Sequence, residues 1–156
     1  MGSETKLEEI NLSEIVEQVV SYLDRRLPSM GKTVELSNEI DSEININANG
    51  VLISWAIENV IKNGIDAVDN NGKIFVKMRK DLNNVVIQIV DSGKGISRKD
   101  WRNIFRPGFS SKEQGWGLGL SLTSRIIKEI HGGSIRVAKS EIGDGTTIEI
   151  TLPQPN

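Results

Sequence analysis

Apolar residues fall at Leu12, Ile15, Val16, Val19, Val20, Leu23 and Leu27, intervals of three and four that line one face of a helix. Asn11 followed by Glu14 has the form of a capping box at its start, and Pro28 and Gly31 stop it. Residues 33–40 place Val34, Leu36 and, less cleanly, Ile40 in alternation and read as a strand. A second long helix is predicted over 49–68, ended by Asn70-Asn71-Gly72. Residues 73–80 set Ile74, Val76 and Met78 against polar partners, a half-buried strand. After a turn at 81–84, residues 85–90 are apolar on nearly both faces, a more central strand. A glycine-rich stretch opens at Asp91, a short helix is predicted over 98–104, 105–116 is irregular, and 118–130 is a third helix ended by Gly132. Residues 134–139 and 146–152 form a hairpin over Gly143-Asp144-Gly145.

The predicted order is therefore α, β, α, β, β, α, β, β. Two hairpins imply antiparallel pairing, and helices gathered on one face of such a sheet are the economical packing. The expected fold is a two-layer α/β (α+β) sandwich with a mixed, largely antiparallel sheet. With 156 residues the chain makes one domain, expected over 11–153, with 1–10 as leader and linker and 154–156 as a tail. Met1-Gly2-Ser3 lacks the apolar stretch of a signal peptide and reads as a leader on a piece of a longer protein.

Composition narrows the chemistry. The net charge of −2 gives no bulk attraction to nucleic acid or anionic membrane, so no nucleic-acid partner is expected. Zero Cys excludes disulfides, thiolate metal sites and Cys nucleophiles, and one His excludes a His-rich metal site. No apolar run exceeds three residues, so nothing in the sequence spans a membrane as a helix.

Four segments remain to carry function. On the second helix Asn59, Asn63 and Asp66 fall within an arc of roughly 60°, away from Ile53, Ile57, Val60 and Gly64. Asn is a poor helix former, so the arc is either a solvated face or a set of ligands. Asp91 stands at the end of the central strand, before Ser92-Gly93-Lys94-Gly95: an Asx turn, or a carboxylate offered to an exocyclic amine beside glycines that let backbone approach a ligand. Gly115-Trp116-Gly117-Leu118-Gly119-Leu120 runs into a helix, where bare N–H groups and the helix dipole favour phosphate. The same run also reads as a tight packing turn, and it is not a P-loop, lacking Gly-Lys-Ser/Thr. Phe105-Arg106-Pro107-Gly108-Phe109-Ser110-Ser111-Lys112 has the makings of a hinged lid with a phosphate-reaching Lys112, or of an ordinary surface loop.

Taken in order, these segments resemble the catalytic ATP-binding domain of sensor histidine kinases, within the gyrase, heat-shock chaperone, histidine kinase and MutL superfamily. The likeness covers about Asn11 to Pro153: an N box at 58–67, a first glycine box at 91–96, an F box at 104–112 and a second glycine box at 115–120. The resemblance implies that Asp91 hydrogen-bonds the adenine amine, with Gly93, Gly95, Ile96 and Phe109 around the nucleotide. It implies that Asn63 holds Mg²⁺, with Asn59 orienting water or a phosphate oxygen beside it. Gly115, Gly117, Leu118, Gly119 and Leu120 would give the triphosphate room and donors, and Lys112 would sit in a mobile lid over 105–116. ATP and Mg²⁺ are the implied ligands. The implied partners are a dimerisation domain bearing the phosphoacceptor His and, through the full-length kinase, a response regulator. The chain itself is expected to be a monomer, and cytoplasmic, with membrane anchoring of the parent left open.

The ATPases of this superfamily place a Glu, the general base for water, where this chain has Asn59. Glu58 lies about 140° round the helix from Asn63, which favours phosphoryl transfer over hydrolysis. His131 ends the third helix before Gly132-Gly133, where a partly charged imidazole complements the helix dipole; it reads as structural, so the chain is not expected to phosphorylate itself. Asp66 stands where many members carry a basic residue, leaving the γ-phosphate contact to Lys112 or Arg106. The rival readings are an anti-sigma-type Ser protein kinase, a non-kinase ATPase, and a degenerate docking module.

Overall fold

The structure, a computed structural model, describes residues 6–41, 43–69, 71–109 and 119–154. Its elements are β1 (Glu8–Asn11), α1 (Leu12–Arg26), β2 (Glu35–Ile40), β3 (Asn45–Ala48), α2 (Gly50–Ala67), β4 (Lys73–Asp81), β5 (Asn84–Asp91), α3 (Gly119–Arg125), β6 (Ser134–Glu141) and β7 (Gly145–Pro153). The main sheet has five strands in the order β2-β4-β5-β7-β6. Three of its pairings are antiparallel, and β2–β4 is parallel, with α2 as the crossover between them.

Alternation explains the layers. Ile74, Val76 and Met78 of β4, Val85, Ile87 and Ile89 of β5, and Ile148, Ile150 and Leu152 of β7 all point to one face and are buried. Against that face α2 lays Ile53, Ile57, Val60, Ile61 and Ile65, and α1 adds Leu12, Val16, Val19, Val20 and Leu23 to the same core. This is the two-layer sandwich that the pattern predicts.

Four local features differ from the sequence expectation. Glu8–Asn11 is a strand, not a linker: it pairs antiparallel with β3 in a separate two-stranded sheet. The capping box closes only on one side. The Asn11 side chain accepts from the Glu14 N–H at 3.0 Å, while the Glu14 carboxylate turns forward to accept from Gln18 at 3.3 Å. The segment 98–104 resolves into two 3₁₀ turns, Arg98–Asp100 and Asn103–Phe105. The third helix changes pitch, α3 passing into a π turn at Ile126–Ile130.

Candidate functional site

The inner face of the sheet is apolar except at one end. There the register places Leu36, Ile74, Asp91, Thr146 and Ser140 side by side on β2, β4, β5, β7 and β6. A polar trio thus closes an otherwise greasy surface. Asp91 is buried, and α2 passes over it at Gly64, where a Cβ would lie 3.4 Å from that of Asp91. One Asp91 oxygen accepts the Gly93 N–H at 2.8 Å. Desolvation raises its carboxyl above the usual 3.8, against the lowering pull of backbone N–H groups at Gly93 and Thr146.

The loop after Asp91 is braced on both sides. Toward α2, Lys94 N–H donates to the Ala67 carbonyl at 3.1 Å, and Gly93 packs so close to Ala67 that a Cβ would meet its carbonyl oxygen at 2.5 Å. Toward the β6–β7 turn, Gly143 N–H donates to the Lys94 carbonyl at 2.9 Å, and Ile96 N–H to the Ser140 hydroxyl at 2.7 Å. Gly95 has φ +80°, and a Cβ there would run into the Glu141 carbonyl. The glycines at 93 and 95 therefore serve a close approach of protein to protein. Trp101, with Arg98 stacked 4.4 Å over its ring, donates from its indole to the Ile96 carbonyl at 3.0 Å.

Beside this loop opens a cavity of about 340 Å³, within the range of small-molecule pockets. Asn63, Asp91, Gly95, Ile96 and Phe109 line it, so five of the sequence candidates meet on one wall system. Asn63 is half-buried, and its side chain makes no hydrogen bond among the described residues. Four candidates stand elsewhere. Gly93 is held against Ala67, off the cavity wall. Asn59, one turn before Asn63, turns its amide N–H₂ back to the Trp55 carbonyl at 2.9 Å. Leu120 packs on the core, and Gly119 is the first residue of α3. Lys112, Gly115, Gly117 and Leu118 lie outside the described residues.

Asn63 offers one neutral oxygen, and no group of three or more His, Cys, Asp or Glu gathers among the described residues. That donor set does not make a metal cage, but it suits a hard cation held mainly by phosphate oxygens and water, which is how Mg²⁺ is commonly bound.

A family model described as "Histidine kinase-, DNA gyrase B-, and HSP90-like ATPase" matches residues 48–156, a span holding every residue of this cavity. The chain belongs to that family. Among these ATPase-fold proteins it is 32% identical over 142 residues to sporulation kinase C of Bacillus subtilis, covering 91% of this chain and 33% of the kinase. It is 33% identical over 148 residues to the signal transduction histidine-protein kinase AtoS of Escherichia coli, covering 94% of this chain and 24% of AtoS. The chain thus spans about a third or less of these curated relatives. The catalytic domain of the histidine kinase ThkA superposes with a TM-score of 0.85 at 29% identity, covering 96% of both chains. ThkA in complex with the response regulator TrrA matches at 25% identity and TM-score 0.81, covering 96% of this chain and 42% of that one. ATP is the ligand class that membership carries.

In this member of the family, Glu58 is engaged away from the cavity, its carboxylate 2.9 Å from Lys62. His131 is structural, as its position suggests, but not through charge. Its Nδ1 faces the Ile126 carbonyl at 2.9 Å and its Nε2 accepts the Asn49 N–H at 3.0 Å, which fixes the neutral Nδ1–H tautomer. Burial lowers its pKa below 6.5, opposed by the bond to Ile126. The dipole-complementing imidazolium of the sequence reading is therefore replaced by a neutral bridge. Neither nitrogen is free to act as a nucleophile. No helix among the described residues is long and apolar enough to cross a membrane.

Sequence reasoning gave no site role to Thr146, Ala67 or Ser140. Thr146 had a signal: a polar residue opposite Asp91 once the β5–β7 register is known. Ser140 had none.

Proposed function

We propose that this chain is the Mg-ATP-binding catalytic domain of a two-component sensor histidine kinase, donating the γ-phosphoryl group to a His on a separate dimerisation domain. The observation that carries the reading is Asp91: a buried carboxylate at a strand end, in a cavity of about 340 Å³, with Asn63 on the adjoining helix wall. Asp91 accepts the exocyclic amine of adenine through the oxygen not taken by Gly93. Ile96 and Phe109 supply apolar surface for the base, and Gly95 leaves it room. Asn63 holds Mg²⁺ through its amide oxygen, and Asn59 keeps its own amide oxygen for water or a phosphate oxygen. Mg²⁺ held there would supply positive charge to offset that of the phosphates. Lys112, or Arg106, meets the γ-phosphate, and the second glycine box at 115–120 cradles the triphosphate.

Transfer rather than hydrolysis is supported by Asn59, which cannot take a proton from water, and by the Glu58–Lys62 pair, which keeps the neighbouring carboxylate elsewhere. His131, bonded at both nitrogens, supports an acceptor on another domain. The relatives named as histidine kinases, and ThkA seated with a response regulator, support the same acceptor chemistry and a receiver domain as the next partner.

Calorimetric titration with Mg-ADP tests the nucleotide reading. Wild type binds, and Asp91→Asn loses roughly 100-fold in affinity, because an amide N–H₂ can meet the adenine amine donor to donor. A folded wild type that binds no nucleotide overturns it. Mixing the chain and ATP with a helical phosphoacceptor domain tests the transfer: an acid-labile phosphate on the acceptor is expected, and an acid-stable one points instead to Ser kinase chemistry. The chain alone is expected to release little phosphate from ATP; fast release that Glu58→Gln abolishes would defeat the kinase reading.

A further inference from the structure

Ser140 owes its position to a fault in the sheet. Ile135 and Val137 of β6 point to the core and are buried, so strict alternation would send Lys139 inward and Ser140 outward. The register instead slips between Val137 and Lys139, where Val137 faces Ile148 but Lys139 faces Thr147. This β-bulge exchanges the two faces. Lys139 becomes exposed, and Ser140 turns inward, opposite Thr146 and in line with Asp91.

Hydrogen counting then fixes what Ser140 does. Its oxygen has three partners: the Ile96 N–H at 2.7 Å, the Gly145 carbonyl at 3.0 Å and the Thr146 hydroxyl at 2.8 Å. A serine hydroxyl has one hydrogen and two lone pairs. Ile96 can only donate and Gly145 can only accept. All three contacts are satisfied in one way: Ser140 gives its hydrogen to Gly145, and Thr146 gives its hydrogen to Ser140. Thr146 is left with lone pairs alone. It lines the cavity together with Asp91, whose ionised carboxylate also only accepts.

We propose that Ser140 is the positioning residue that sets the nucleobase selectivity of this cavity, by holding the Thr146 hydroxyl as an acceptor beside Asp91. A polar edge made of two acceptors fits an exocyclic amino group, which has two hydrogens to give. It repels a 6-keto purine, whose oxygen would bring lone pairs against lone pairs. The inference rests on the reading that the cavity takes the base of ATP, and adds which atom of which residue distinguishes that base from its keto analogue.

Parallel titrations with ADP and inosine diphosphate, which differ in amino against keto at the purine 6-position, test it. Wild type is expected to favour ADP by about 100-fold or more. Ser140→Ala frees the Thr146 hydroxyl to turn its hydrogen toward a keto oxygen, and the ratio narrows roughly tenfold, mainly by tighter binding of the inosine nucleotide. Thr146→Val removes the hydroxyl at nearly constant shape and narrows the ratio too; it carries the test if circular dichroism shows Ser140→Ala unfolded. An unchanged ratio, even with both nucleotides weakened together, means that Ser140 is merely structural and overturns the proposal while leaving the ATP reading intact. A folded wild type that binds neither nucleotide overturns both.

Discussion

The two ends of α2 are held by different means. At its start Asn49 caps the helix, accepting the Leu52 N–H at 3.0 Å, and the backbone N–H of Asn49 is itself tied to His131. At its end the Ala67 carbonyl takes the Lys94 N–H, and the next carbonyl, that of Val68, takes the Lys32 ammonium at 3.0 Å. Neither end carries a matching charge, there being no acid in the first turn and no base in the last. The difference lies in what each tie connects. The first joins helix to helix through a group that titrates. The Ala67 tie joins the helix to the loop that frames the cavity, through backbone that does not. One rod is thus tied to the third helix at one end and to the loop of the proposed nucleotide cavity at the other.

Substitutions at the two ends should separate these roles. Gly95→Ala strikes the loop end hardest, adding a left-handed strain to a collision with the Glu141 carbonyl; a loss of about 3 kcal/mol or more is expected in urea unfolding. Asp91→Asn should do the reverse, weakening nucleotide binding roughly 100-fold without lowering the melting temperature at neutral pH. The amide oxygen still accepts from Gly93 and a buried charge is gone. A melting temperature that falls with the affinity would show that the charge holds the loop. His131→Ala, at the far end, is expected to cost about 1–3 kcal/mol by orphaning the Asn49 N–H, with ADP affinity unchanged within about twofold.

The pH dependence sharpens the contrast. The folded pKa of His131 is depressed, so the folded state binds fewer protons, and stability present above pH 6.5 is lost as pH falls through the lowered value. Asp91 has the opposite sign. Its pKa is raised above 3.8, so the extra stability of its protonated form is present below that value and is lost as pH rises through the raised one. Thermal melts of His131→Gln should show a flatter slope just below pH 6.5, and those of Asp91→Asn only at more acid pH. The smallest effect belongs to Lys32→Met, about 0.5–1 kcal/mol with no change in binding.

The sheet and the two long helices were legible because their apolar residues keep one period over many positions. Strands β1 and β3 were not, being four residues each, too short for alternation to stand out beside the adjoining helices. The π turn at Ile126–Ile130 hides for another reason. It keeps Ile126 and Ile127 buried as an α-helix would, and changes only the bond that lets the His131 N–H reach Ile126 at 3.2 Å. Within the site, Asp91 could be read from its place at the end of an apolar run. Ser140 could not, since the bulge that turns it inward reverses the parity on which the reading depends.

The short sheet of β1 and β3 also has a mechanical meaning. Its ladder begins at the rung Glu8–Ala48, and the Asn49 side chain bonds the Lys6 carbonyl at 3.4 Å. Traction applied to the chain at Leu7 is therefore delivered to Asn49, at the very start of α2, and peels β1 away rung by rung toward Asn11. The tug reaches the rod at its His131 end. The cavity lies at the other, so a pull can strain the helix mount while the cavity walls stay undisturbed.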